Sequence, residues 1–99
     1  MGSILQTFTK PDYVDYDGAG NATITLSRKL MIGGVERTTL TMREPTVRDE
    51  KLAQKTGKED GEKEVILMAN LCGLLPVDIE NLPSKDYRRL QEAYLGFLL

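Results

Sequence analysis

The chain has 99 residues, of which 28% are charged and 40% hydrophobic, and its formal net charge is -2. This length is typical of one domain with a core of modest size. The 13 basic and 15 acidic residues nearly balance, which argues against the basic surface of a nucleic-acid-binding protein.

Cysteine usage and apolar runs bear on the compartment. The single cysteine, Cys72, excludes an internal disulfide and is typical of a reducing environment. No positively charged segment followed by a long apolar run stands near the N-terminus, so we predict no signal peptide. The longest apolar run, residues 65–69, is far shorter than the roughly 20 residues that span a bilayer. These features predict a cytoplasmic protein.

Residues 1–21 are the least regular part of the chain. They show no clear helical or strand period, although they contain half of the aromatic residues. Such an aromatic content argues against a purely solvated tail. We expect an N-terminal arm, strand-like or irregular, that docks on the domain or on a neighbouring subunit.

Residues 22–42 are predicted to form a β-hairpin, because apolar and polar residues alternate in the first half and the second half is rich in β-branched residues. The turn falls at Gly33-Gly34. A two-residue loop would place Leu40 on the wrong face of the sheet. A three-residue loop, residues 32–34, pairs Leu26 with Leu40 and uses Gly34 as its left-handed residue. We therefore predict the three-residue loop with a glycine bulge.

The chain becomes helical after Pro45. Thr46 and Asp49 resemble a capping box, and Gly57 is the predicted left-handed stop of this first helix. The helix has few apolar residues, so it is expected on the surface. The next helix begins near Asp60, stops at Gly73 and is apolar nearly all round, which marks it as the central core helix.

The C-terminal segment predicts two more helices. Pro76 opens a single turn, and Ser84 is the predicted cap of the last helix. Spacings of three and four predict one apolar stripe on that helix, formed by Tyr87, Leu90, Tyr94 and Phe97. The expected fold is α+β: a hairpin followed by three to four helices in a compact C-terminal half, with residues 22–99 as a single domain.

Residues able to carry catalysis are scarce. The chain has no histidine, the commonest general base and metal ligand, and Cys72 lies in the most apolar helix. Residues 15–21 resemble a calcium loop in part, but Ala19 and Leu26 replace two ligands, so an acidic turn is the favoured interpretation. We predict no catalytic site, no metal site and no cofactor.

Four segments together resemble the Mu-like phage tail assembly chaperones. The segments are residues 40–49 (LTMREPTVRD), 71–74 (LCGL) followed by Pro76 and Asp78, 82–87 (LPSKDY), and 90–93 (LQEA) followed by Phe97 and Leu98. The resemblance covers roughly residues 22–99. No single motif is very specific, and their order and spacing carry the resemblance.

The resemblance implies a helper of tail assembly that is absent from the mature virion. Such proteins coat the long, apolar, helical tape-measure protein and keep it soluble until tail-tube subunits polymerise around it. The implied partners are the tape-measure protein and the tail-tube subunit, in the bacterial host cytoplasm, and an open hairpin edge adds self-association. Apolar residues at the chain's two ends are the predicted partner contacts: Phe8, Tyr13, Tyr16, Tyr94, Phe97, Leu98 and Leu99.

Other functions fit the same composition. One alternative is a structural tail or baseplate subunit that remains in the virion, and another is a small oligomeric regulatory protein. Detection in purified particles would favour the first, and a toxin or DNA partner would favour the second.

Overall fold

A computed structural model describes residues 9–99. Its fold is α+β, with a three-stranded antiparallel sheet followed by four helices. The strands are β1 (Val14–Tyr16), β2 (Asn21–Ile32) and β3 (Val35–Arg43), in the order β1-β2-β3. The helices are α1 (Val47–Thr56), α2 (Asp60–Cys72), α3 (Pro76–Glu80) and α4 (Ser84–Leu98).

The sheet has one strand more than the predicted hairpin. β1 lies within the segment expected to be an arm and pairs with β2, with Val14 opposite Ile24 and Tyr16 opposite Ala22. Val14 is fully buried. A three-residue strand is too short to show a period in the sequence, so its pairing is decided by the side chains that it buries.

The predicted three-residue loop is wrong. Ile32 pairs with Val35 across the two-residue turn Gly33-Gly34, and both glycines have positive φ, of 60° and 78°. Two positive φ angles are typical of the tight turn that matches the twist of a hairpin. The register then shifts between Thr25 and Leu30, where residues 26–29 of β2 lie opposite residue 38 alone.

This β-bulge resolves the difficulty that the two-residue loop raised. An odd register shift moves side chains from one face to the other. Leu40 consequently points into the core opposite Ile24, and Met42 lies opposite Ala22. The predicted pairing of Leu26 with Leu40 does not occur.

The core lies between one face of the sheet and the helices. The buried strand residues alternate with exposed threonines, and α2 and α4 pack on the buried face. The largest fully buried apolar side chains come from both layers: Val14, Ile24, Met42, Met68, Ile79 and Leu90. The predicted central position of α2 is confirmed, since Leu67, Met68, Ala69 and Leu71 are all buried.

Helix ends follow the sequence signals at Thr46, Gly73 and Pro76 but not at Gly57 and Ser84. Thr46 and Asp49 form the predicted capping box, and Gly73 ends α2 in the left-handed conformation. Gly57 is extended rather than left-handed, and it lies directly against Lys63 of α2. Ser84 is the first residue of α4 and makes no capping bond.

Candidate partner-binding surface

Two of the predicted contact residues bring β1 against α4. The Tyr16 hydroxyl donates to the carbonyl oxygen of Ala93 at 2.8 Å, and its ring meets Phe97 edge to face with centroids 5.0 Å apart. Burial raises the pKa of Tyr16. Tyr16 and Phe97 therefore contact each other and form part of the fold.

Tyr13 makes a second link between the same two elements. Its hydroxyl donates to the Glu92 carboxylate, and the Arg89 guanidinium lies 4.1 Å from its ring centroid in a cation–π contact. The hydrogen bond to Glu92 raises the pKa of Tyr13. The third predicted contact of the N-terminal arm, Phe8, lies outside the described residues.

α4 is amphipathic, and its outer face carries leucines. Leu90 and Ala93 are fully buried against the sheet, as the apolar stripe requires. In contrast, Leu95, Leu98 and Leu99 are 51%, 53% and 77% exposed. Leu95 is absent from the predicted set of contact residues. Its spacing of three from Leu98 places both on one side of a helix, and this signal in the sequence could have identified Leu95 as a contact.

Tyrosine–glutamate hydrogen bonds hold α4 to the other helices. The Tyr94 hydroxyl donates to Glu50 of α1 at 2.6 Å, and burial together with Glu50 raises the pKa of Tyr94 to about 12. The Tyr87 hydroxyl donates to Glu64 of α2, which also accepts from Gln91 Nε2 at 2.9 Å. Burial and the Glu64 carboxylate raise the pKa of Tyr87.

An open groove of about 1330 Å³ runs between α1, α2 and the Tyr94 side of α4. Its floor is apolar and includes Leu67 and Met68 of α2. Val47 and Leu52 of α1 form an apolar edge and are 73% and 50% exposed. Sequence reasoning placed α1 on the surface but did not identify this groove, since two apolar residues five apart make no regular stripe.

The described residues offer little reactive chemistry. Burial raises the pKa of the Cys72 thiol to about 12, so it is not a ready nucleophile. The turn that resembles a calcium loop is organised by Asp17, which accepts from the backbone N–H groups of Ala19 and Asn21 at 2.7 and 3.0 Å. Within residues 9–99 no three His, Cys, Asp or Glu side chains cluster as metal ligands would. None of the helices in this range is both long and apolar enough to cross a bilayer.

Comparison with known proteins identifies the family. Curated proteins and solved structures give no significant match. A family model does match, over residues 23–99, and its description is phage tail assembly chaperone proteins, E, or 41 or 14. The match includes most of β2, all of β3 and all four helices. On this match the chain belongs to the phage tail assembly chaperone family.

Proposed function

We propose that this chain binds the tape-measure protein of a phage tail and keeps it soluble during assembly of the tail tube, without remaining in the mature virion. One observation carries the proposal: a member of this family exposes a row of leucines, Leu95, Leu98 and Leu99, along its last helix. The family is not a class of enzymes. The host cytoplasm is the proposed place of action.

The exposed leucines suit a reversible contact with an apolar helix. Burying one leucine side chain contributes about 1.5–3 kcal/mol, from which the entropy lost on association must be subtracted. Three leucines therefore support a weak contact by each copy. Many weakly bound copies along a long partner would cover its apolar stripes and still be released as the tail tube forms.

The predicted contact residues divide into two groups in this proposal. Leu98 and Leu99, joined by Leu95, are proposed to touch the partner directly. The aromatic residues Tyr13, Tyr16, Tyr94 and Phe97 are proposed to support that surface, because each packs within the chain. Phe8 remains a proposed contact.

Self-association and the tail-tube subunit are further proposed contacts. β3 is an edge strand with no neighbour on its outer side among the described strands, and such an edge can pair with a second copy. The tail-tube subunit is the proposed acceptor of the partner when the chaperone leaves.

Co-expression tests the proposed function. The chain would be produced with the long helical protein encoded nearest downstream, and the soluble complex measured by size exclusion with light scattering. We expect the partner to be insoluble alone and to elute with several copies of this chain when co-expressed. A partner that stays insoluble beside an unchanged chain would contradict the proposal, and finding the chain in purified particles would favour the virion subunit.

Paired substitutions locate the contact. Leu98→Asp with Leu99→Asp should abolish co-elution while the chain stays folded, because both side chains are exposed. Met31→Asp is the matched control, because Met31 is also an exposed apolar residue. Met31 lies in β2 beside the hairpin turn, and Gly33 of that turn lies near Asp78 of α3. Equal co-elution of both variants would exclude the leucine row as the contact.

A further inference from the structure

We infer that the groove between α1, α2 and α4 is a docking site for an amphipathic helix that carries acidic residues beside its apolar stripe. The inference rests on the proposed function, because it specifies the chemistry of the partner and adds a second contact surface. Tyr94 joins the two surfaces, since it lines the groove and lies next to Leu95 in α4.

The apolar part of the groove fits one side of a helix. Leu67 and Met68 are buried at its floor, while Val47 and Leu52 stand exposed along its α1 edge. A floor of buried side chains beside exposed apolar ones is the surface that an inserted apolar stripe would cover. A purely ionic ligand would leave these apolar edges in water.

The charged residues along the groove predict which side chains should flank the apolar stripe of the docked helix. Arg48, Lys51 and Lys55 line it from α1, and their spacings of three and four place them on one side of the helix. Each is exposed, and none forms an ion pair with another described residue.

Three acidic residues also line the groove, and each has a contact within the chain. Glu50 accepts the Tyr94 hydroxyl, and Glu64 accepts the Tyr87 hydroxyl and the Gln91 amide. Asp60 lies 3.9 Å from Lys63. Hydrogen bonds from neutral donors leave Glu50 and Glu64 charged, but Arg48, Lys51 and Lys55 outnumber Glu50 on the α1 side of the groove. This excess of positive charge complements carboxylates on the docked helix.

The size of the groove agrees with a helical occupant. At about 1330 Å³ and open to solvent, it can take one side of a helix about 10 Å across without enclosing it. The groove is also larger than the roughly 300–1,000 Å³ of pockets that enclose a small molecule.

Two stapled peptides test the charge preference directly. Both would be helices of about 14 residues, held helical by a staple because free peptides of this length are marginal helices. They share one leucine stripe, flanked by glutamates in one and by lysines in the other. We expect the glutamate peptide to bind the full chain more tightly, and its affinity to fall as salt screens the charges. Equal affinities would overturn the inference.

Variants of α1 assign the binding to the groove. Lys51→Glu with Lys55→Glu should weaken the glutamate peptide by about tenfold and strengthen the lysine peptide, as reversal of two exposed charges implies. Lys85→Glu, an exposed reversal in the first turn of α4, is the matched control and should change neither affinity. Unchanged binding in the α1 variant would place the peptide elsewhere and overturn the inference.

A third variant tests the apolar edge of the groove without disturbing the fold of the chain. Val47→Gln is suitable, because Val47 is exposed at the first position of α1 and glutamine removes the apolar surface without adding a charge. We expect about tenfold weaker binding of the glutamate peptide with an unchanged melting temperature. No change in affinity would overturn the inference. A concentration-dependent dimer that this substitution dissociates would overturn it too, by identifying a second copy as the occupant.

Failure of this inference differs from failure of the proposed function. If the α1 variants still co-elute with the tape-measure candidate and the Leu98 and Leu99 variant does not, only the groove assignment is wrong. If the unsubstituted chain fails to co-elute at all, the proposed function itself is wrong.

Discussion

At the scale of single residues, Asp86 links α4 to the irregular part of β2. Its carboxylate is fully buried and accepts from the Ser27 backbone N–H at 2.7 Å and from Ser27 Oγ at 2.8 Å. Arg89 Nη1 donates to the carbonyl oxygen of Thr25 at 2.8 Å from the next turn of α4. These bonds satisfy backbone groups of Thr25 and Ser27, which lie in β2 beyond its pairing with β1.

Removal of the Asp86 carboxylate should destabilise the chain strongly. We expect Asp86→Ala to lower the free energy of unfolding by about 2–3 kcal/mol, because it leaves two partly buried donors of Ser27 without an acceptor. Ser27→Ala removes one donor only and should cost about 1 kcal/mol. Urea unfolding measures both, and a cost below that of Ser27→Ala for the Asp86 variant would contradict this role.

A second carboxylate should make stability depend on pH. Asp49 accepts from the Arg43 guanidinium at 2.7 and 2.8 Å and from the Thr46 backbone N–H at 2.9 Å, which holds the pKa of Asp49 well below its usual range. A depressed folded-state pKa contributes stability that is complete above the unfolded-state value, about 4. That contribution is lost as the pH falls from there towards the folded-state pKa.

Asp49→Asn should therefore flatten the acid side of the stability profile. The free energy of unfolding of the unsubstituted chain should fall more steeply below pH of about 4 than that of the variant. Denaturant unfolding at a series of pH values measures the difference. Asp12→Asn, at an exposed position, is the control. If it flattens the pH profile of the free energy of unfolding equally, the effect comes from the change in net charge and not from the contacts of Asp49.

At the scale of elements, the connection between α1 and α2 depends on a close approach. A Cβ atom at Gly57 would lie 2.7 Å from Lys63 Cγ and 2.9 Å from Lys63 Cα, whereas one at Gly61 would meet nothing within 4 Å. The glycine at residue 57 is needed for packing rather than for a left-handed turn. This explains why a helix stop was correctly expected there but its conformation was not.

Two alanine substitutions should consequently have opposite effects. Gly57→Ala should lower the free energy of unfolding by about 1–3 kcal/mol through overpacking. Gly61→Ala should raise it by about 0.5–1 kcal/mol, since alanine favours the first turn of α2. Thermal unfolding followed by circular dichroism measures both, and a Gly57→Ala variant as stable as the parent would show that the two helices separate easily.

At the scale of the whole molecule, Cys72 reports on opening of the core. It packs against the core at the end of α2, and burial raises its pKa to about 12. At pH of about 8 we expect the native thiol to react with iodoacetamide at least about 100-fold more slowly than a free cysteine, because little thiolate is present. Denaturant should remove the difference, and an equal rate in the native chain would contradict a closed core.

Local signals determined the helices and the family resemblance. The Thr46–Asp49 capping box, the apolar run of α2 and the stop at Gly73 each depend on residues within a few positions of one another. Helix formation and capping are short-range interactions, so a sequence read along the chain contains them. The ordered motifs of residues 40–98 likewise indicated the family that the match over residues 23–99 shows.

The tertiary structure alone decided the sheet and the surface. The segment of β2 where the register shifts is bonded through Ser27 to Asp86, 59 positions away in the chain. β1 is a strand only because β2 lies beside it. Long-range contacts also turned Tyr13 and Tyr16 towards α4 and left Leu95 exposed. Strand pairing and burial join residues that are distant in sequence, and local propensity does not specify which distant residues meet.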